Sequence, residues 1–278
     1  KTNDQSIHHT IQQQLTLISD AMKPFGYFNA EVSSTLYTNT RNTLLRFNIT
    51  PGTPIIIKDI NISISGEASK DQDFSHLIKQ FSLKKNNILN TKKYEDLKKN
   101  IKDLAAEKGY LDAKMTESKI TINYQNNRAT IIIKFESGVR YSFGKITFSE
   151  TPLKESFLRK FLGFQTNRPY DLRKIQKTQK NLEKSGYFDR AIIFSEKSDP
   201  VLHTIPIHVN LTLSKAQIYN IGAGYSTNTK ARITLGATIN RLNSVGHSIN
   251  SLVQLTSSKN ASAQLNYNIP GNNPTKES

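Results

Sequence analysis

The chain has 278 residues, 38 of them Lys or Arg and 22 Asp or Glu, for a formal net charge of +16. Cysteine is absent, which excludes disulfide frameworks, cysteine metal sites and thiol nucleophiles, and is compatible with an oxidising compartment. No apolar run reaches the ~18 residues of a membrane-crossing helix, and a hydrophobic content of 36% suits several small cores better than one large core.

In chain order, Ile7, Ile11, Leu15, Ile18 and Met22 recur at helical spacing and end at Gly26-Tyr27-Phe28. Only about 25 residues precede Gly26, so the sequence is expected to begin inside a module, with any export signal removed or outside it. A strand follows at Ile55 to Ile64 and a short helix at Phe74 to Phe81. A longer helix carries Tyr94, Leu97, Ile101, Leu104 and Ala105 on one face, with Thr91 as its expected N-cap. That helix ends at Gly109-Tyr110-Leu111, where the glycine takes a left-handed C-cap conformation. Strands are expected at Leu111 to Asn123 and Ala129 to Phe135, about a turn at Gln125-Asn126-Asn127. The next stretch repeats the layout: a strand at Tyr141 to Phe148, a short helix at Leu153 to Phe161, and a helix with Leu172, Ile175 and Leu182, capped by Asp171. Gly186-Tyr187-Phe188 closes it, before strands at Phe188 to Glu196 and Thr204 to Leu213.

The three Gly-Tyr-aromatic/Leu signatures lie 83 and 77 residues apart, which defines an internal repeat. Each repeat is a strand-helix-helix-strand-strand module of about 80 residues, a two-layer α+β unit with helices over one face of a small sheet. The signatures read as structural: an aromatic or leucine just beyond each glycine is expected to fold back on the helix end and set the angle at which the next strand leaves.

From about Lys215 strict alternation replaces the helical patterns. Tyr219, Ile221, Ala223 and Tyr225 alternate with Asn220, Gly222 and Gly224; Ile233, Leu235, Ala237 and Ile239 alternate with Arg232, Thr234, Gly236 and Thr238. Ile249, Val253 and Leu255 follow, with Ser251 and Leu252 exchanged, and then Ala261, Ala263, Leu265, Tyr267 and Ile269. Runs of about nine to eleven residues match tilted membrane-crossing strands. Lys230, Arg241 and Lys259 fall at the connections, where headgroups or water would meet them. A water-soluble sheet with one buried face alternates too. Asn, Gln, Ser, Thr and Gly at the polar positions, in place of Lys and Glu, favour a barrel lumen. About eight strands are the minimum for closure, so these four are expected to belong to a longer barrel.

Modules of this kind in series, each with a Gly-aromatic signature and followed by alternating strands, resemble POTRA domains leading into a BamA-type outer-membrane barrel. Lys93-Tyr94-Glu95-Asp96-Leu97 through Gly109-Tyr110-Leu111-Asp112, Ser137-Gly138-Val139-Arg140-Tyr141, Gly222-Ala223-Gly224-Tyr225-Ser226-Thr227 and Leu242-Asn243-Ser244-Val245-Gly246-His247-Ser248 are similar to the translocation and assembly module (TamA) family within that group. The resemblance implies tandem POTRA modules at 1–54 (incomplete at its start), 55–137 and 138–214, and the first four strands of a transmembrane antiparallel β-barrel at 215–278. It implies an outer-membrane location with periplasmic POTRA domains, and a non-enzymatic role in assembling autotransporters and other β-barrel proteins. Client strands would pair at a lateral gate along Gln217, Ile218, Tyr219, Asn220, Ile221, Gly222, Ala223, Gly224, Tyr225 and Ser226. Tyr219, Ile221, Ala223, Tyr225, Ile233, Leu235, Ala237, Ile239, Leu265 and Tyr267 would face lipid. Leu111 to Ile120 and Phe188 to Glu196 are expected to offer further sheet edges. The implied partners are a TamB-like inner-membrane-anchored protein, nascent barrel and autotransporter clients, and outer-membrane lipid. A two-partner secretion pore is the alternative.

The histidines at 8, 9, 76, 203, 208 and 247 have no metal-spaced companions, and no cofactor or metal is expected. Gly222-Ala223-Gly224 lacks the third glycine and the following helix of a dinucleotide loop. Lys92, Lys93, Lys98, Lys99, Arg173, Lys174 and Lys177 could form a nucleic-acid surface, but no stacking-aromatic motif accompanies them, and nucleic acid is not an expected partner.

Overall fold

The computed structural model describes residues 2–38, 43–227, 230–257 and 260–271. The chain divides into two compact units, Lys1–Ala106 with Tyr110–Arg140, and Glu107–Gly109 with Tyr141–Ser278.

The first unit opens with helix α1 (Thr2–Met22), a 3-10 turn at Lys23–Phe25 and an antiparallel hairpin of β1 (Glu31–Thr38) and β2 (Thr43–Thr50). Ile11, Leu15, Ile18 and Met22 of the expected stripe are half-buried, while the Ile7 side chain lies outside the described set. A module follows: β3 (Ile56–Ser65), α2 (Gln72–Lys79), α3 (Thr91–Lys108), β4 (Lys114–Asn123) and β5 (Arg128–Glu136). Its sheet runs β3-β5-β4, with β3 parallel and β4 antiparallel to the central β5. Ala129, Ile131, Ile133 and Phe135 of β5 point into a core with Ile55, Ile57, Phe74, Leu97 and Ile101. Burying an isoleucine side chain here stabilises by roughly 1.5–3 kcal/mol relative to exposure. The Asp71 carboxylate caps α2 by accepting from Asp73 N–H at 3.0 Å. At α3 the capping side chain is Asn90, which accepts from Lys93 N–H at 3.0 Å; Thr91 is already the first helical residue.

The second unit repeats the layout with β6 (Ser142–Phe148), α4 (Glu155–Leu158), α5 (Leu172–Lys184), β7 (Phe188–Ser195) and β8 (Thr204–Leu213), in the sheet order β6-β8-β7. The expected first helix is a single α turn continued by a 3-10 turn, Arg159–Phe161. It is held by burial of Phe157, Leu158 and Phe161 in the core instead of by its own length. Asp171 caps α5 as expected, accepting from Arg173 N–H. Four antiparallel strands follow: β9 (Gln217–Ser226), β10 (Lys230–Ile239), β11 (Ser248–Thr256) and β12 (Ala261–Asn268), in the order β12-β11-β10-β9.

Gly26, Gly109 and Gly186 all adopt left-handed φ values, of 91°, 84° and 77°. Tyr110 turns back into the core against Phe74, and its N–H donates to Ala105 carbonyl at 2.9 Å. This turn delays the expected strand at Leu111 until Lys114. Phe28 packs on the first core and Phe188 is buried in the second, but Leu111 is 44% exposed and does not share that role.

Candidate functional site

The strand registers decide how the four alternations combine. Tyr219, Ile221, Ala223 and Tyr225 of β9 stand beside Ala237, Leu235, Ile233 and Ala231 of β10. Ile233, Leu235 and Ile239 in turn oppose Leu255, Val253 and Ile249 of β11, and Val253 and Ile249 oppose Ala263 and Tyr267 of β12. Successive residues of a strand point to opposite faces, so every apolar run falls on one face and Asn220, Gly222, Gly224, Arg232, Thr234, Gly236 and Thr238 fall on the other. Tyr219, Ile221, Tyr225 and Leu265 are 70%, 83%, 79% and 71% exposed, so no layer of the described residues covers the apolar face there. Ala237 and Ile239 are half-buried.

The exchange in β11 has a structural counterpart. Ser251 lies on the apolar face, with its hydroxyl donating to Ala237 carbonyl at 3.2 Å. Leu252 lies on the polar face against Gly236, where a Cβ would stand 3.5 Å from Leu252 Cδ1.

Among the described residues β9 pairs only with β10 and β12 only with β11, so these two are the outer strands of the described sheet. In the two modules β4 and β7 are likewise edge strands. Both have a register shift near their start, between Met115 and Glu117 and between Phe188 and Arg190, the kind of bulge that blunts an edge.

Where the sheet meets β6–β8, the β10–β11 turn is pinned down. Lys154 N–H donates to Ser244 carbonyl at 2.8 Å, and the Tyr187 hydroxyl donates to Gly246 carbonyl at 2.5 Å. Burial pushes the Tyr187 hydroxyl pKa up, against a smaller opposing effect of the Ser248 side chain. Gly246 has φ +80° and sits so close to Phe157 that a Cβ would lie 2.3 Å from the ring. Arg241, expected at headgroups or water, instead donates to Ser214 carbonyl at 2.6 Å: backbone acceptors left free where β8 passes into β9 capture it. This clamp is not legible in the sequence beyond the turn signal of Asn243 and Gly246. Lys230 lies at the far end of β10, at φ 55°, and Lys259 lies outside the described residues.

Three of the basic residues considered for nucleic acid have acidic partners close by. Lys98 pairs with Glu95 at 3.0 Å and lies over Tyr94, Lys99 pairs with Asp103, and Arg173 pairs with Asp171 at 3.1 Å.

The family model "POTRA: Surface antigen variable number repeat" matches residues 55–138 and 141–212. The chain belongs to the POTRA family. Its two matched segments coincide with the β3–β5 and β6–β8 modules. Among solved structures, BamA from Haemophilus ducreyi lacking POTRA domains 1–3 is similar over 77% of this chain and 40% of that one, at 16% identity and a TM-score of 0.60. CdiB from Acinetobacter baumannii is similar over 96% and 49%, at 13% identity and a TM-score of 0.49. The chain thus spans less than half the length of either. At these identities the BamA likeness is one of fold: α+β POTRA modules, with similarity reaching beyond the two matched segments.

Proposed function

We propose that this POTRA chain is part of an outer-membrane assembly or secretion factor of the BamA-like class, and within it of the TamA type. One observation carries the reading: four strands of eight to ten residues fall into register with one apolar face that no described residue covers, β9 being their first strand in the chain. Strands of this length cross a bilayer when tilted. Tyr219, Ile221, Ala223, Tyr225, Ile233, Leu235, Ala237, Ile239, Leu265 and Tyr267 then face lipid, and the POTRA modules lie on the periplasmic side.

Hydrocarbon leaves no partner for an unpaired peptide group, so an incoming strand gains most where a ladder is already waiting. β9 is that template. Gly222 and Gly224 weaken it locally and leave its polar face open. Main-chain pairing demands little of side-chain identity, so many client barrels can use the same edge. The POTRA edges β4 and β7 offer weaker pairing on the way, and an inner-membrane-anchored partner of the TamB type delivers clients to them.

The test is site-specific crosslinking in the full-length protein. Probes along Gln217–Ser226 are expected to capture strands of several barrel and autotransporter clients during their assembly. Capture of a single dedicated passenger indicates a two-partner secretion pore instead. A blank result along the whole strand in active protein removes the reading.

A further inference from the structure

The polar face of β9 carries two glycines and lies beside two cations. Gly222 and Gly224 stand opposite Thr234 and Arg232 on β10. A Cβ added at Gly224 would lie 3.0 Å from Arg232 Nε, 3.5 Å from its Cγ and 3.7 Å from its Cζ, so the arginine side chain lies over the glycine of β9. A side chain at 224 would crowd the arginine and make it shift. Arg232 is exposed and makes no hydrogen bond or ion pair with any described residue. Lys230 shares its face two positions away. No Asp or Glu occurs between Asp199 and Glu277, so the whole four-stranded region supplies no carboxylate of its own to answer these cations.

Resting on the strand-addition reading above, we propose that Arg232 is a specificity residue: it selects incoming strands that carry an Asp or Glu side chain on the polar face, opposite Gly222 or Gly224. Adjacent strands lie about 4.8 Å apart, so a strand added to β9 lies two spacings, roughly 10 Å, from β10. An arginine reaching outward and a carboxylate reaching inward close that gap above the glycines. The pair forms a charge-assisted, fork-shaped contact that a lysine in place of the arginine reproduces only as a point charge. Main-chain bonds hold the client, and the guanidinium sets its register and its charge preference.

The test uses the full-length protein in lipid, with a photo-crosslinking side chain at Tyr219, away from the arginine. The probes are otherwise identical strand peptides of about ten residues bearing Asp, Asn or Lys at each alternate position in turn. The unaltered protein is expected to capture the Asp strand roughly fivefold better than the Lys strand at one register position, the scale of a favourable cross-strand pair. Arg232→Glu inverts that order, a gain that misfolding cannot produce, and Arg232→Lys keeps its direction. Equal capture of Asp, Asn and Lys strands by the unaltered protein overturns the proposal. So does an Arg232→Glu variant that loses all three alike, which would mean the arginine is paired within its own chain. If the unaltered protein captures no strand at all, the strand-addition reading fails first and takes this proposal with it.

Discussion

Gly26 and Gly186 hold the same left-handed backbone in the same signature, at φ 91° and 77°, but their surroundings differ. Nothing lies within 4 Å of a Cβ placed on Gly186, whereas one on Gly26 would meet Leu89 carbonyl oxygen at 2.6 Å and Ile88 Cγ2 at 2.8 Å. The left-handed conformation alone costs an L residue about 1–2 kcal/mol. Gly186→Ala is therefore expected to lower stability by about 1 kcal/mol. Gly26→Ala should cost about 3 kcal/mol, because backbone has to move as well; urea unfolding of the two variants side by side checks the difference. The glycines themselves are legible in the sequence because a helix stop is a local demand. The cap of α3 is not. Asn90 and Thr91 are both good capping types, and the choice falls to Asn90 because its neighbour Leu89 is buried and pinned, its N–H donating to Ile55 carbonyl at 2.8 Å. That contact spans distant sequence, and no local rule contains it.

At the scale of elements, the alternation of β9–β12 was readable because a strand's side chains change face at every residue. Register was not, since it depends on the turns between the strands. The structure supplies it, and with it a prediction that separates a membrane sheet from a soluble one. Leu235 lies in the middle of β10 on the apolar face, and Thr234 beside it points to the polar face. In a bilayer, Leu235→Arg is expected to destabilise by about 2–4 kcal/mol and Thr234→Arg by under about 1 kcal/mol. Folding of the full-length protein into lipid vesicles from urea measures both. Leu235 is 45% exposed, so a sheet that lived in water would tolerate either arginine with little change, and equal small effects would remove the membrane assignment. The short α4 and the Arg241 and Tyr187 clamp escaped the sequence for one reason. Each is fixed by contacts with another element, Phe157 in the core or the β10–β11 turn, and carries no periodic signal of its own.

Across the whole molecule, carboxylates are distributed unevenly, and this sets where acid should act first. Glu117 on β4 lies between Lys119 at 2.7 Å and Lys134 at 2.8 Å, whose hydrogen bonds hold its pKa down to about 2. The Ser65 hydroxyl and then Gly138 N–H hold Glu136 below its ordinary value. Burial alone would raise Asp171, but hydrogen bonds from the Arg173 side chain and backbone bring it below the usual range. All three folded-state values are depressed relative to ordinary carboxylates near 4. Their stabilisation is therefore complete above about pH 5 and is lost as pH falls through 4 toward 2, when the unfolded chain binds protons the native one refuses. These groups lie within the POTRA modules, and β9–β12 contain no carboxylate at all. Lowering pH from 5 to 3 should accordingly lower amide protection, taken relative to the intrinsic exchange rate at each pH, in β4, β5 and the start of α5 while leaving that of β9–β12 unchanged. In a Glu117→Gln variant the acid sensitivity of β4 should shrink, because the residue whose proton uptake drives it is gone. Hydrogen exchange followed strand by strand gives the answer, and earlier opening of β9–β12 than of the POTRA sheets would contradict the charge argument, since nothing in those strands titrates in that range.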